Sequence, residues 1–168
     1  QQGKKDRIVD LVGNGWSPFC ILDCYPHLSG FKFRCSSLQI RSDIKPGVIL
    51  LNIISLLKRL YDYDKDTYEH SVRTSNLAIR IAGGLSCSID LVNTIKDAAL
   101  LHDIGKLNIP LSILNKHTGL TTPEMECLKK HPIYGEEILE LNNFPESIIT
   151  PVFQHHVWYN GMGYPKVA

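Results

Sequence analysis

The sequence predicts an all-α body preceded by a small β-rich extension. Three observations carry this. From Asp43 onward apolar residues recur every three or four positions, the period of a half-buried helix. Cap and stop residues frame each of those periodic segments. Before Asp43 the apolar runs are short or alternating and are separated by turn residues.

In the extension, residues 7–12, 19–22 and 31–33 are the strand-like runs. Gly13-Asn14-Gly15, Ser17-Pro18, Pro26 and Ser29-Gly30 are the turns between them. Asp43 then caps a first helix with Pro46 in its first turn, and Ile49, Ile53, Leu56, Leu57 and Leu60 line its buried face. A second helix runs from Asp64 or Asp66 to Ala82 and stops at Gly83-Gly84. Ser88 caps a third, expected to end near Ile104 with Gly105 behind it. Thr121 and Glu124 form a capping-box pattern for a fourth, which breaks at His131-Pro132 because the residue before a proline resists the α region. Pro132 starts a fifth helix through Leu141. A sixth includes residues 152–157, with Pro151 in its first turn or kinking it.

At 168 residues the length fits one compact domain plus a short extension. Apolar residues make up 43 % and charged residues 21 %, which excludes a disordered tail, a collagen-like repeat or a coiled-coil rod. A net charge of +1 provides no basic excess for a long phosphate backbone, so no nucleic-acid polymer is expected as a partner. Apolar runs such as residues 48–51 are far too short for a membrane segment, and residues 1–10 lack a signal-peptide core. The five cysteines are odd in number and form no CxxC pair, so reduced thiols in a cytoplasmic protein are expected. Cys20 and Cys24 lack partners at metal-site spacing.

The informative polar residues are histidines on apolar faces. Asp66, His70, Thr74, Leu77 and Ile81 share one stripe of the second helix, which points His70 into the core with Asp66 one turn before it. Leu91, Ile95, Ala98 and His102 make a second stripe. His155 follows Ile148 and Val152, and His156 follows Ile149 and Phe153. A single inward histidine is ordinarily a hydrogen-bonded core residue. Five on converging faces (His70, His102, His131, His155 and His156) would sacrifice too much apolar burial to be only that. Asp103 lies at the C-terminal end of an apolar helix, where the carbonyl dipoles disfavour a carboxylate by about 0.5–1 kcal/mol unless a cation is near. A divalent metal would be that cation, and mixed imidazole and carboxylate ligands suit iron, manganese, nickel or zinc rather than calcium. Lys106 is then either a partner for an anionic substrate oxygen or an exposed surface lysine.

In order along the chain stand Tyr68-Glu69-His70-Ser71, Ala99-Leu100-Leu101-His102-Asp103-Ile104-Gly105-Lys106, His131-Pro132, His155-His156 and Asn160-Gly161-Met162-Gly163-Tyr164-Pro165. This set resembles the HD-GYP family of the HD superfamily, metal-dependent phosphodiesterases that hydrolyse the bacterial second messenger cyclic di-GMP. Residues 109–110, 113–116 and 120–121 look like that family's connecting segment, and the likeness covers about residues 45–165. It implies an HD-superfamily helical bundle with two or three bridged divalent ions, commonly iron or manganese. His70, His102 and Asp103 would hold one ion, and Asp103 would bridge to a second held by His131, His155 and His156. Asp66 matches a position where trinuclear members carry the longer glutamate, so a third ion is the open point. Asp103 and Lys106 would be the catalytic pair, with Lys106 on a substrate phosphate. Gly161, Gly163, Tyr164 and Pro165 would form the loop at the mouth of the site, linked in this family to contacts with diguanylate-cyclase-type (GGDEF) domains. The ions would generate hydroxide at neutral pH and stabilise charge on the phosphoryl oxygens, opening the cyclic dinucleotide without a serine or cysteine nucleophile.

Three departures stand against that pattern. Val157 replaces the family's glutamate after the paired histidines, and Asn160 replaces an aspartate. The chain also ends at Ala168, short of a further aspartate ligand that the HD fold carries beyond the GYP loop. The reading is therefore an N-terminal extension over residues 1–43, by analogy the end of a sensor domain, and an HD-GYP-like catalytic core over 44–168, C-terminally incomplete. Its function is read as cyclic di-GMP hydrolysis. The alternatives are a catalytically impaired module that binds cyclic di-GMP or a partner domain, and an HD phosphohydrolase for another nucleotide.

Overall fold

A computed structural model describes residues 46–166, and these are helical apart from turns, with no strand among the described residues. The β-rich extension expected over residues 1–43, including the Asp43 cap, lies outside them. Helix α1 (Pro46–Tyr63) buries Ile53, Leu56, Leu57 and Leu60, while Ile49 is half-buried. Each fully buried aliphatic contributes about 1.5–3 kcal/mol, so this stripe anchors the body.

Helix α2 (Lys65–Gly84) runs through the glycine pair expected to stop it, with Leu85 as its C-cap. Its buried residues are Thr67, Tyr68, Ser71, Ser75 and Ala82, and it packs chiefly on α3 (Ile89–Leu101). This corrects the expected core stripe: His70, Leu77 and Ile81 are exposed. Residue size decides the packed side, because small side chains let two helices approach closely. Ser75 adds a bond there, its hydroxyl donating to the Lys96 carbonyl at 3.0 Å.

Ser88 caps α3 as expected, its hydroxyl oxygen accepting from the Leu91 amide at 3.3 Å. The helix ends at Leu101, three residues before the expected Ile104. Gly105 is not a stop but part of a 3₁₀ turn over Ile104–Asn108. A Cβ on Gly105 would collide with the His131 carbonyl oxygen and the Gly135 amide nitrogen, so glycine is required for the turn to lie against the next long helix. The Tyr63 hydroxyl donates to the Ile109 carbonyl at 2.7 Å, tying the end of α1 to the far end of the turn.

A short helix, α4 (Leu111–Leu114), was not expected. Helix α5 (Thr122–Leu128) starts at the capping box, where the Thr121 amide donates to Glu124 Oε2 at 2.7 Å. It ends at Leu128 rather than at His131-Pro132; that pair opens α6 (His131–Leu141), with Pro132 in the first turn. Helix α7 (Glu146–Gln154) ends before the expected Val157 and holds Pro151 in its interior, outside its first turn. Pro151 and Ser147, the residue four positions back, are both exposed, so the missing bond falls on the solvent side. No helix among the described residues is long and apolar enough to cross a membrane.

Candidate metal centre

Four segments bring histidines to one buried carboxylate. His102 and Asp103 follow α3 directly, His131 opens α6, His155 and His156 follow α7, and His70 comes from α2. Three of the rings are fixed the same way. The Nδ1 of His102 donates to the Ala99 carbonyl at 2.8 Å, that of His131 to the Leu128 carbonyl at 2.8 Å, and that of His155 to the Val152 carbonyl at 2.6 Å. A carbonyl cannot donate, so Nδ1 carries a proton, and in the neutral ring Nε2 is left with its lone pair.

Those lone pairs point at Asp103, which is almost wholly buried. Its oxygens face different groups. Oδ2 lies 3.1 Å from His102 Nε2, 3.8 Å from His70 Nε2 and 2.8 Å from the Lys106 ammonium. Oδ1 lies 3.3 Å from His131 Nε2 and 3.9 Å from His155 Nε2. His131 Nε2 and His155 Nε2 are 3.0 Å apart. Donor atoms of His70, His102 and Asp103 lie within 4.8 Å of one another, as do those of His131, His155 and His156. Lone pairs facing one another around a carboxylate are the arrangement a divalent ion satisfies, and carbonyls behind the imidazoles are the orienting partners such ligands use. The residues fit a metal.

The remaining expected site residues are distributed around this centre. His70 is an exposed member of the first group, where a side chain pointing into the core was expected. Asp66 is exposed, lines a cleft of about 310 Å³ with His70 and Lys106, and belongs to neither close-set group. The turn over 157–164 folds back on His156: Val157 bridges to Gly163, and the Tyr164 amide donates to the His156 carbonyl at 3.3 Å. Gly161 and Gly163 have positive φ values of 78° and 98°, which favour glycine. Tyr164 stacks on His156 with ring centroids 4.6 Å apart. Asn160 has a structural task in the turn, its Oδ1 accepting from the Met162 amide at 3.1 Å. Sequence reasoning saw residues 113–116 and 120–121 only as a likeness to the family's connecting segment and did not place Ile113, Leu114, Asn115, Lys116 and Leu120 in the lining of the cleft. It also missed the tight packing at Gly105.

A match to the HD domain family runs over residues 55–168. The chain belongs to the HD domain family. It is 38 % identical over 124 residues to a cyclic di-GMP phosphodiesterase of Thermotoga maritima, covering 70 % of this chain and 33 % of that protein. It is 37 % identical over 115 residues to the cyclic di-GMP phosphodiesterase PA4108 of Pseudomonas aeruginosa, covering 68 % and 28 %. It is 39 % identical over 115 residues to the cyclic di-GMP phosphodiesterase response regulator RpfG of Xanthomonas campestris pv. campestris, covering 67 % and 30 %. The matched stretch thus spans a third or less of these relatives. HD domains bind divalent metal ions, and among the described residues of this one two donor groups could hold them.

The electrostatics of this HD domain suit that use. Burial pushes the His131 imidazole down to about 4, against the opposing pull of its bond to Leu128 and of Asp103. Burial likewise brings His155 down to about 4, with the neighbouring histidines adding to the effect. Burial also lowers His70 and His156. Burial would raise the Asp103 carboxyl, but its surroundings, with His102 at 3.1 Å and the Lys106 ammonium bonded at 2.8 Å, outweigh it and hold it well below the usual carboxylate range. At neutral pH Asp103 is therefore ionised while His70, His131, His155 and His156 are neutral, the protonation state that metal binding requires.

Proposed function

We propose that this chain is the catalytic core of a metal-dependent phosphodiesterase that hydrolyses cyclic di-GMP in bacterial signalling. The observation that carries it is the division of Asp103, one oxygen toward His70 and His102 and the other toward His131 and His155. On this reading His70, His102 and Asp103 hold one ion. Asp103 would also serve a second, which His131, His155 and His156 would hold, with iron or manganese as the metal. When bound, such ions supply Lewis acidity toward a phosphoryl oxygen and a source of hydroxide at neutral pH. The chain's own groups do the rest. Carbonyls of Ala99, Leu128 and Val152 hold three imidazoles in the ligating tautomer. Lys106 both bonds Asp103 and lines the cleft, so its ammonium can turn to a phosphate arriving there. Asp66, which lines the cleft one turn before His70, is the carboxylate offered to any third ion. The choice of cyclic di-GMP rests on the names of the relatives and on the ordered motif set.

Exposed Trp158, Tyr159 and Met162 on the turn beside His156 are the surface a GGDEF partner domain would meet. The free thiols Cys87 and Cys127 are in keeping with a cytoplasmic setting.

The test is turnover of cyclic di-GMP by the chain purified without oxygen and supplied with iron or manganese, alongside 3′,3′-cGAMP as competitor. Linear dinucleotide or GMP that vanishes in His102→Ala supports the proposal. A folded, metal-loaded chain that binds cyclic di-GMP without cleaving it would make it a binding module, and preference for the competitor would change the substrate.

A further inference from the structure

His156 is the member of the His131/His155/His156 group whose ring lacks the backbone anchor seen at the other two. His102, His131 and His155 each donate Nδ1–H to a carbonyl three residues back, but among the described residues no carbonyl takes such a bond from His156. Its ring is instead covered by Tyr164, stacked at 4.6 Å with 23° between the planes. The same tyrosine meets His131 edge-on at 6.3 Å.

Tyr164 is in turn held by a closed turn. The Trp158 amide donates to the Met162 carbonyl at 2.7 Å, and the Gly161 amide to the Trp158 carbonyl at 2.8 Å. Gly163 makes the return possible: its φ of 98° suits glycine, and a Cβ there would collide with the His156 carbonyl oxygen. The turn therefore closes on the residue whose ring Tyr164 covers. An imidazole free to rotate about its Cβ–Cγ bond would carry its donor nitrogen off the site. A flat aromatic partner confines that rotation, which is the task hydrogen bonds perform for the other three rings.

We propose that Tyr164 is a positioning residue, its ring orienting the His156 imidazole and so setting the affinity of the His131/His155/His156 group for a divalent ion. This rests on the reading above that the group holds one.

Calorimetric titration of the metal-free chain with Mn²⁺, repeated with Co²⁺ and its visible absorption, tests it. The parent is expected to show two classes of site. Tyr164→Ala should weaken one class by about 10–100-fold, the range for loss of an orienting partner, and leave the other unchanged. Tyr164→Phe keeps the ring and should bind like the parent with the same Co²⁺ bands. Should alanine unfold the turn, Tyr164→Leu fills the volume without a ring and should still lose the one class. Parent-like binding in Tyr164→Ala, equal loss in Tyr164→Phe, or equal weakening of both classes would each overturn the proposal. A parent that binds no Mn²⁺ would sink the metal-centre reading and this proposal together, whereas indifferent variants of a metal-binding parent sink this proposal alone.

Discussion

Replacing Asp103 by asparagine removes one negative charge and almost no volume, at a side chain only 3 % exposed whose two oxygens face different histidine groups. In the metal-free protein the change is mild. The new side-chain amide can donate to an imidazole Nε2 that the carboxylate could only face with another lone pair, although Lys106 loses its ionic partner at 2.8 Å. With metal present the outcome reverses. An ion that binds only the folded chain stabilises it by about 2.7 kcal/mol at 100 times its Kd. For a chain of this length that corresponds to a rise in Tm of roughly 5–11 °C per ion. Because Asp103 contacts both groups, Asp103→Asn should lose the rise from both ions, while His102→Ala should lose it from one. Differential scanning fluorimetry with and without Mn²⁺, paired with elemental analysis of the bound metal, reads this directly. An Asp103→Asn protein that keeps both ions and the full metal-dependent rise would refute the bridging role.

Three further outcomes are expected. Lys106→Ala should retain metal but weaken cyclic di-GMP binding by roughly 10–150-fold, the loss of one charge-assisted bond, measured by calorimetry with a non-hydrolysable analogue; parent-like affinity would remove Lys106 from the site. Gly105→Ala should destabilise the chain by at least about 1–3 kcal/mol in urea unfolding and lower metal occupancy, because the added methyl would push the 3₁₀ turn away from His131; unchanged stability would show that the contact relaxes freely. The metal-free chain should lose stability as pH falls from about 6.5 to about 4. His131 and His155 are held near 4 when folded, so over that window the unfolded chain binds the protons first. The effect is of order 3 kcal/mol per histidine, and a Tm that stays flat from pH 7 to 4.5 would contradict the burial of these rings.

The helical body was legible from periodicity, and so was the list of metal-ligand candidates, because histidines at apolar positions are costly without a partner. The face of α1 also followed from spacing, with Ile53, Leu56, Leu57 and Leu60 all buried. Periodicity locates a side chain around its own helix axis but does not say which side the neighbours cover. On α2 the aliphatic stripe through His70, Leu77 and Ile81 therefore proved exposed, and the small residues Ser71, Ser75 and Ala82 packed inward. Gly105 read as a helix stop because local propensity cannot register a backbone 26 residues later in the chain pressing against it at His131. The sequence by itself supplied the candidate donors and their order, Asp66 included, although Asp66 joins neither close-set group. Only tertiary structure decided that Asp103 turns one oxygen to each histidine group and that Tyr164 lies flat on His156. Both depend on where the end of α3, the start of α6 and the end of α7 lie relative to one another, and contacts between distant segments set that position.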